Sequence, residues 1–411
     1  VESAARETPV VPDRDVSLTE ALDRVPEFRA RAGVTRVGET TRLHRIGIPT
    51  MCAVVPDSAS DVTIYNGRGL SRDRALVGAV MEAVERQTAA RCEIAERLAA
   101  PASVLREIDL QRCGLRAHYA RTRMPFVEAR DLLSGAALRV PKALVQTPWR
   151  GIPAFAATHT NGLAAGLSHR EAVYHALLEV VERHLFAVTH ARAHLRPRRM
   201  LRAILGKDLP FVDDPVDEIE QPTGIRAIDE LCERFRSSGL SLRLVALRAP
   251  HVPPAVLAGA CDRERGEFHA GFGCSWSPVR AAIAAICEVA QARAANIQGA
   301  RENILRADDP PSHFAENTRR RRSLPHGRWY FDAPTHRVRV ADLAQRASGD
   351  LGADLRALVS AVGAFASRIA VVDLSPADRR YFVVRAIVPE AETTLLDGRI
   401  GPIARAIVYE T

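Results

Sequence analysis

Lysine is almost missing from this chain: Lys142 and Lys207 are the only two in 411 residues, so nearly all of its positive charge is arginine. The net charge of +8 is therefore a weak pointer to nucleic acid, because such a skew follows from GC-rich codon usage. The basic clusters, Arg196 to Arg199 around Pro197 and Arg319 to Arg322, sit in polar surroundings without interleaved aromatics and read as solvated loops. No nucleic-acid partner is expected. Seven cysteines form no C-x-x-C pair, which argues against a disulfide framework and a zinc site and for reduced thiols in a cytoplasm. No apolar run is long enough to cross a bilayer, and the N-terminus lacks the basic-then-apolar layout of a secretion signal. Also missing are a G-x-x-x-x-G-K-[ST] P-loop and a full dinucleotide fingerprint. Any nucleotide must be held in some other way.

What is present is the balance of a globular protein, 47% hydrophobic and 26% charged. Residues 1–40 predict a helical arm, with a helix from Leu18 to Arg31 interrupted at Pro26, and 41–411 a single catalytic domain. Strands are expected at MCAVV (51–55), VTIYN (62–66), ALRVPKALV (137–145), LRLVAL (242–247), VLAGAC (256–261), IAVVDL (369–374) and YFVVRAIV (381–388). Long helices are expected at about 72–98, 169–192, 278–300 and 352–366, and a loop at 307–327. The fold class is α/β, mixed α+β.

One acidic phrase recurs: MEAVER (81–86), LEVVER (178–183) and, blurred, CEVAQAR (287–293). Each lies in a helix that opens at a serine, Ser71, Ser168 or Ser277. Ser168 with Glu171 makes a capping box, and Ser277 precedes Pro278. Glu82, Glu179 and Glu288 each stand eleven residues beyond their serine. Glu85, Glu182 and Gln291 follow three residues later, on the same helix face. An i,i+4 pair such as Glu82–Arg86 or Glu179–Arg183 explains one such helix as a stabilised surface, but not a register shared by three, nor the apolar flanks. Five carboxylates and an amide converging in an interior need cations, and oxygen ligands of this kind suit Mg2+, whose shell is completed by water and nucleotide phosphates. Ahead of the helices run Asn66-Gly67-Arg68-Gly69, Asn161 to Gly166 and Gly271-Phe272-Gly273, glycine-rich turns that let backbone amides approach phosphates. The chain therefore reads as repeated strand–loop–helix units around a magnesium–nucleotide site.

These motifs, with RLHRIGIP (42–49) before them and QGAR (298–301) after them, occur in the order found in the YcaO family, which the chain resembles over about residues 41–303. The resemblance implies an ATP- and Mg2+-dependent enzyme that O-phosphorylates a backbone amide of a ribosomally made precursor peptide. The expected outcome is ring formation, an azoline or a macrocyclic amidine. The alternatives are thioamide formation with an external sulfide donor and a TfuA-type partner, or a non-catalytic nucleotide-binding accessory protein. By motif match Glu82, Glu85, Glu179, Glu182 and Glu288 would hold metal. Arg68, Asn161, Glu85, Glu182 and Gln291 would bind the cofactor, and Glu82, Glu179, Arg183 and Arg301 would be catalytic. Arg68 replaces the family's usual lysine, His44 an aspartate, and Glu302-Asn303 an acidic pair. The final AIVYET is no proline-rich tail, and forty residues leave no room for a winged-helix leader-binding module. A stand-alone type is thus implied, forming a homodimer, with any leader-binding partner separate. Cys274 and Cys287 flank the third motif and read as small buried hydrophobes rather than nucleophiles.

Overall fold

Each of the three long helices begins at the serine that the sequence marks. In the computed structural model, which describes residues 13–104, 107–155, 159–195, 216–262, 267–299, 335–393 and 401–409, Ser71 Oγ accepts from Arg74 N and Ser168 Oγ from Glu171 N. Ser277 precedes its helix without a side-chain cap, relying on Pro278 in the first turn. The capping box at Ser168 is half-made, because the Glu171 carboxylate turns to Arg14 at 2.6 Å. Arg196 to Arg199, Arg301 to Asn303 and the 307–327 loop, with Arg319 to Arg322, lie outside the described residues.

The arm forms α1 (Leu18–Asp23) and α2 (Val25–Ala32), with the break at Arg24 and Pro26 in the first turn of α2. Phe28 of α2 is buried edge-on against Tyr381, 5.9 Å between ring centres. A first antiparallel sheet follows: β1 (Arg36–Glu39), β2 (Thr50–Val54) and β3 (Ile64–Arg68) in sequential order. The arm's last residues are thus built into this sheet. A second sheet takes β4 (Glu96–Ala99), β5 (Met124–Asp131), β6 (Ala137–Pro141), β7 (Leu163–Gly166), β13 (Ala370–Asp373) and β14 (Phe382–Ile387), in the order β4-β5-β13-β14-β7 with β6 on β5. A third takes β8 (Val216–Ile219), β9 (Ser241–Leu247), β10 (Ala255–Asp262), β11 (Glu267–Cys274) and β12 (Thr335–Val338), in the order β11-β10-β9-β8-β12, only β8–β12 being parallel.

Helix α3 (Arg72–Arg91) packs on β3, α4 (His169–His190) on β7 and β14, and α6 (Pro278–Gln298) on β11 and β10. The shorter helices are α5 (Arg226–Ser237), α7 (Leu351–Gly363) and α8 (Pro402–Tyr409). The expected first helix overran. It stops at Cys92, whose φ of 46° ends it in the left-handed conformation, and the chain turns to pair β4 with β5. Of the expected glycine turns, Asn161-Gly162 is a turn, and most of the rest is strand. Asn66 to Arg68 close β3, Leu163 to Gly166 form β7, and Gly271 to Gly273 lie in β11.

Glycine is required there for close approach rather than for turning. A Cβ on Gly67 would sit 2.0 Å from Ala75 O and 2.2 Å from Ala79 N. One on Gly273 would sit 2.2 Å from Ala281 O. Both glycines precede their serine by four residues, and both face the helix positions four and eight beyond it. The helix backbone lies directly on the strand. We expect Gly67→Ala to cost about 1–3 kcal/mol of stability by forcing the helix off its strand. Urea unfolding measures this, and an unchanged midpoint would contradict the packing described.

Candidate functional site

Close packing brings each helix's first acid within reach of its own strand's main chain. Asn66 N donates to Glu82 Oε2 at 2.8 Å, Gly162 N to Glu179 Oε2 at 3.2 Å, and Phe272 N to Glu288 Oε2 at 3.1 Å. The same bond occurs once in each unit. It fixes each carboxylate at a set height over its sheet, and such charge-assisted bonds are about twice as strong as neutral ones.

The second position of each pair instead faces the next unit. Glu85 accepts from Ala165 N at 3.1 Å, Gln291 Oε1 accepts from Arg68 Nη1 at 2.8 Å, and the Glu182 charge acts on the Cys274 thiol. Ala165, Arg68 and Cys274 each precede their serine by three residues. Helix α3 accordingly touches β7, α4 touches β11, and α6 touches β3, which closes a ring of three units. At the other end of the helices, three residues past each serine, Arg74 and Arg280 pair with Asp13, and Glu171 pairs with Arg14. The N-terminal segment thereby clasps all three helix starts.

Within the ring the acids share one electrostatic field. Burial, then the charges of Glu179 and Glu82, push the Glu85 carboxyl up to about 8. Burial, then Glu288 and Glu179, push Glu182 up to about 8, and burial raises Glu179 as well. Arginines supply part of the positive charge that the acids need. Arg68 bonds Glu288 at 2.9 Å, Arg86 stands 3.6 Å from Glu85 and 3.9 Å from Glu82, and Arg183 stands 3.5 Å from Glu182. Arg183 also lies over the Phe272 ring at 4.8 Å. Burial, the largest influence, still holds the Glu85, Glu179 and Glu182 carboxyls raised beside these guanidinium groups.

Glu182 is buried, but Glu82, Glu85, Glu179, Glu288 and Gln291 are half-buried, so a ligand can reach them. Among the described residues no three acidic, histidine or cysteine side chains stand close enough to hold one ion by themselves. The donor set fits Mg2+ held by one or two carboxylates and completed by phosphate and water.

Asn161 is 6% exposed beside Gly162, and its Oδ1 is buried without a hydrogen-bond partner. Arg301 lies outside the described residues. His44 is structural, its Nε2 3.1 Å from Ala290 O and its Nδ1 accepting from Ile46 N. Burial pushes the Cys287 thiol up to about 11 and raises that of Cys274, so neither is a ready nucleophile. Sequence reasoning missed Arg385 of β14, which is 3% exposed and under the influence of Glu179 and Glu85. A lone arginine in the apolar run FVVRAI was the available signal.

Three similar helix–strand units thus place their acids in one ring on a mixed α/β scaffold. The family model described as YcaO cyclodehydratase, ATP- and Mg2+-binding, matches residues 66–392, and the chain belongs to that family. It is 30% identical to an uncharacterized protein of Methanothermobacter thermautotrophicus, over 96% of this chain and 99% of that one. Equal identity, over 71% of this chain and 69% of the other, links it to an uncharacterized protein in the tfuA 3' region of Rhizobium leguminosarum bv. trifolii. Among solved structures it is similar to the YcaO from Methanopyrus kandleri bound with AMPPCP and Mg2+, at 25% identity and a TM-score of 0.67, over 96% and 97% of the two chains. ATP and Mg2+ are accordingly its cofactors. No helix among the described residues is long and apolar enough to cross a membrane.

Because Glu85 and Glu182 titrate at about 8 when folded and at 4.5 when unperturbed, their stabilisation is full below pH 4.5 and is lost as pH rises through 8. A cation reverses that preference. Binding of Mg2+–ATP near pH 7, without peptide, should release protons, on the order of one per molecule, and less by about pH 9. Calorimetry in buffers of different ionisation enthalpy reads this. Heats independent of the buffer would contradict the assignment.

Proposed function

We propose that the protein activates a backbone amide of a ribosomally made peptide by ATP- and Mg2+-dependent phosphorylation of the amide oxygen. The observation that carries this reading is the ring of three helix–strand units, whose acids lie near enough to act on one another's charge. Glu82, Glu179 and Glu288, each tied to a main-chain amide, would hold Mg2+ together with Glu85 and Glu182. Arg68, Gln291 and Asn161 would meet the triphosphate. Arg183, already over Phe272 and beside Glu182, and Arg301 would face the group in transfer. When bound, Mg2+ neutralises the triphosphate, and ATP supplies the phosphoryl group that makes the amide oxygen a leaving group.

With neither Cys274 nor Cys287 poised to attack, the nucleophile would come from the peptide itself or from outside. Ring formation, to an azoline or an amidine, agrees with the family description. Thioamide formation with a sulfide donor and a TfuA-type partner is the second reading, favoured by the relative in the tfuA 3' region. In either case the working assembly we propose is a homodimer, with any leader-binding protein separate.

The test is incubation with ATP, Mg2+ and the peptide encoded beside the gene, followed by the product's mass. Loss of one water marks ring closure, and exchange of one oxygen for sulfur marks a thioamide. Glu82→Ala and Glu179→Ala are expected to stay folded by circular dichroism and to yield no product. Wild-type rates in either variant refute their roles, and a wild-type protein that releases no phosphate with peptide present is an accessory protein instead.

A further inference from the structure

The three acid-bearing helices are tied together at two levels. Near the acids, each helix meets the next unit's strand. At the helix starts, the tie is a separate piece of chain, Asp13-Arg14-Asp15. The Asp13 carboxylate spans two helices, pairing with Arg74 of α3 at 3.7 Å and with Arg280 of α6. Arg14 Nη1 donates to Glu171 of α4 at 2.6 Å, and His175 Nε2 of the same helix stands 3.2 Å from Asp13 O. Asp15 accepts from Arg170 Nε at 2.6 Å and from the Ser168 hydroxyl that caps α4.

These links differ from chance pairs on a charged surface. Glu171 is 3% exposed and the Arg280 side chain 12%, and a buried charge that loses its partner is costly. On its other side the segment is anchored, because α1 and α2 pack on α3 and Phe28 sits against Tyr381. Three residues therefore cross from α3 to α4 and α6. The same eight residues separate Arg74 from Glu82, Glu171 from Glu179 and Arg280 from Glu288, about 12 Å of helix in each case. A change of tilt at a helix start is carried along that length to its acids.

We propose that Asp13 and Arg14 are positioning residues for Mg2+–ATP, which set the distances among the ring acids by holding the three helix starts at one point. This rests on the reading that the ring acids hold Mg2+. Like charges move apart when nothing restrains them. Magnesium demands near-octahedral geometry and tolerates little such movement of its ligands. The segment's effect therefore falls on the metal-dependent part of nucleotide affinity.

The test is calorimetric titration of the full chain with AMPPCP, with and without Mg2+. Asp13→Ala, checked as folded by circular dichroism, is expected to lose about fivefold or more of the gain in affinity that Mg2+ confers. Its affinity without Mg2+ is expected to stay within about twofold of wild type. Asp13→Glu, which keeps the charge, should recover the gain to within about twofold. The proposal is overturned by an unchanged gain in folded Asp13→Ala, by an equal loss with and without Mg2+, or by no recovery in Asp13→Glu. Should Asp13→Ala not fold, Arg74→Gln breaks only the link to α3, at a side chain 45% exposed, and is read by the same outcomes. A wild type whose AMPPCP affinity Mg2+ does not raise would count against the reading of the ring acids rather than against the segment.

Discussion

A hydrogen bond from a main-chain amide in or just ahead of a strand to a helix glutamate, made three times, is the constraint on which the rest of this molecule depends. It requires a helix lying so near its sheet that a carboxylate three turns along can reach the main chain. Gly67 and Gly273 permit that approach in the first and third units, because any Cβ there would enter the helix backbone. In the second unit Ala164 takes the equivalent place, and the bond comes from Gly162, whose φ of 78° turns its amide toward Glu179. Glycine content, helix packing and the height of the acids are one connected fact.

The second acid position turns three separate units into a site. Glu85, Glu182 and Gln291 meet the neighbouring unit at positions that correspond, so no unit completes its own surroundings. Arg68 shows the consequence: it belongs to the first sheet and bonds two side chains of α6. Four guanidinium groups soften the repulsion among five carboxylates without removing it. Burial holds Glu85, Glu179 and Glu182 toward their neutral forms, and under the proposed reading a bound cation would favour the charged ones. Asp13 and Arg14, clasping the helix starts, oppose the spreading that the repulsion favours.

The helices and their shared register were legible because both are local. Serine caps, the eleven-residue interval and the three-residue spacing can be read along the chain. Strands β5 and β11 were not, since MPFVEARD is broken by polar residues and EFHAGFGC reads as a glycine loop. Only pairing with β6 and β10 makes them strands. Partners distant in sequence were equally hidden. Arg68 with Glu288 spans 220 residues and Arg14 with Glu171 spans 157, and no local pattern links them. Asn161 was visible through its motif, whereas Arg385, with no motif, needed the sheet to show that it is buried. The half-exposure of the acids, which makes them reachable, also depends on tertiary packing.

The central claim is that all three units contribute to one ligand site. Calorimetric titration of AMPPCP with Mg2+ into Glu82→Gln, Glu179→Gln and Glu288→Gln tests it most directly, since each change removes one charge and keeps the shape. The account predicts that each variant stays folded and loses about tenfold or more in affinity, as expected when a charge-assisted ligand contact is removed. Undiminished affinity in any one of the three would contradict it, because that unit's acid would then lie outside the site.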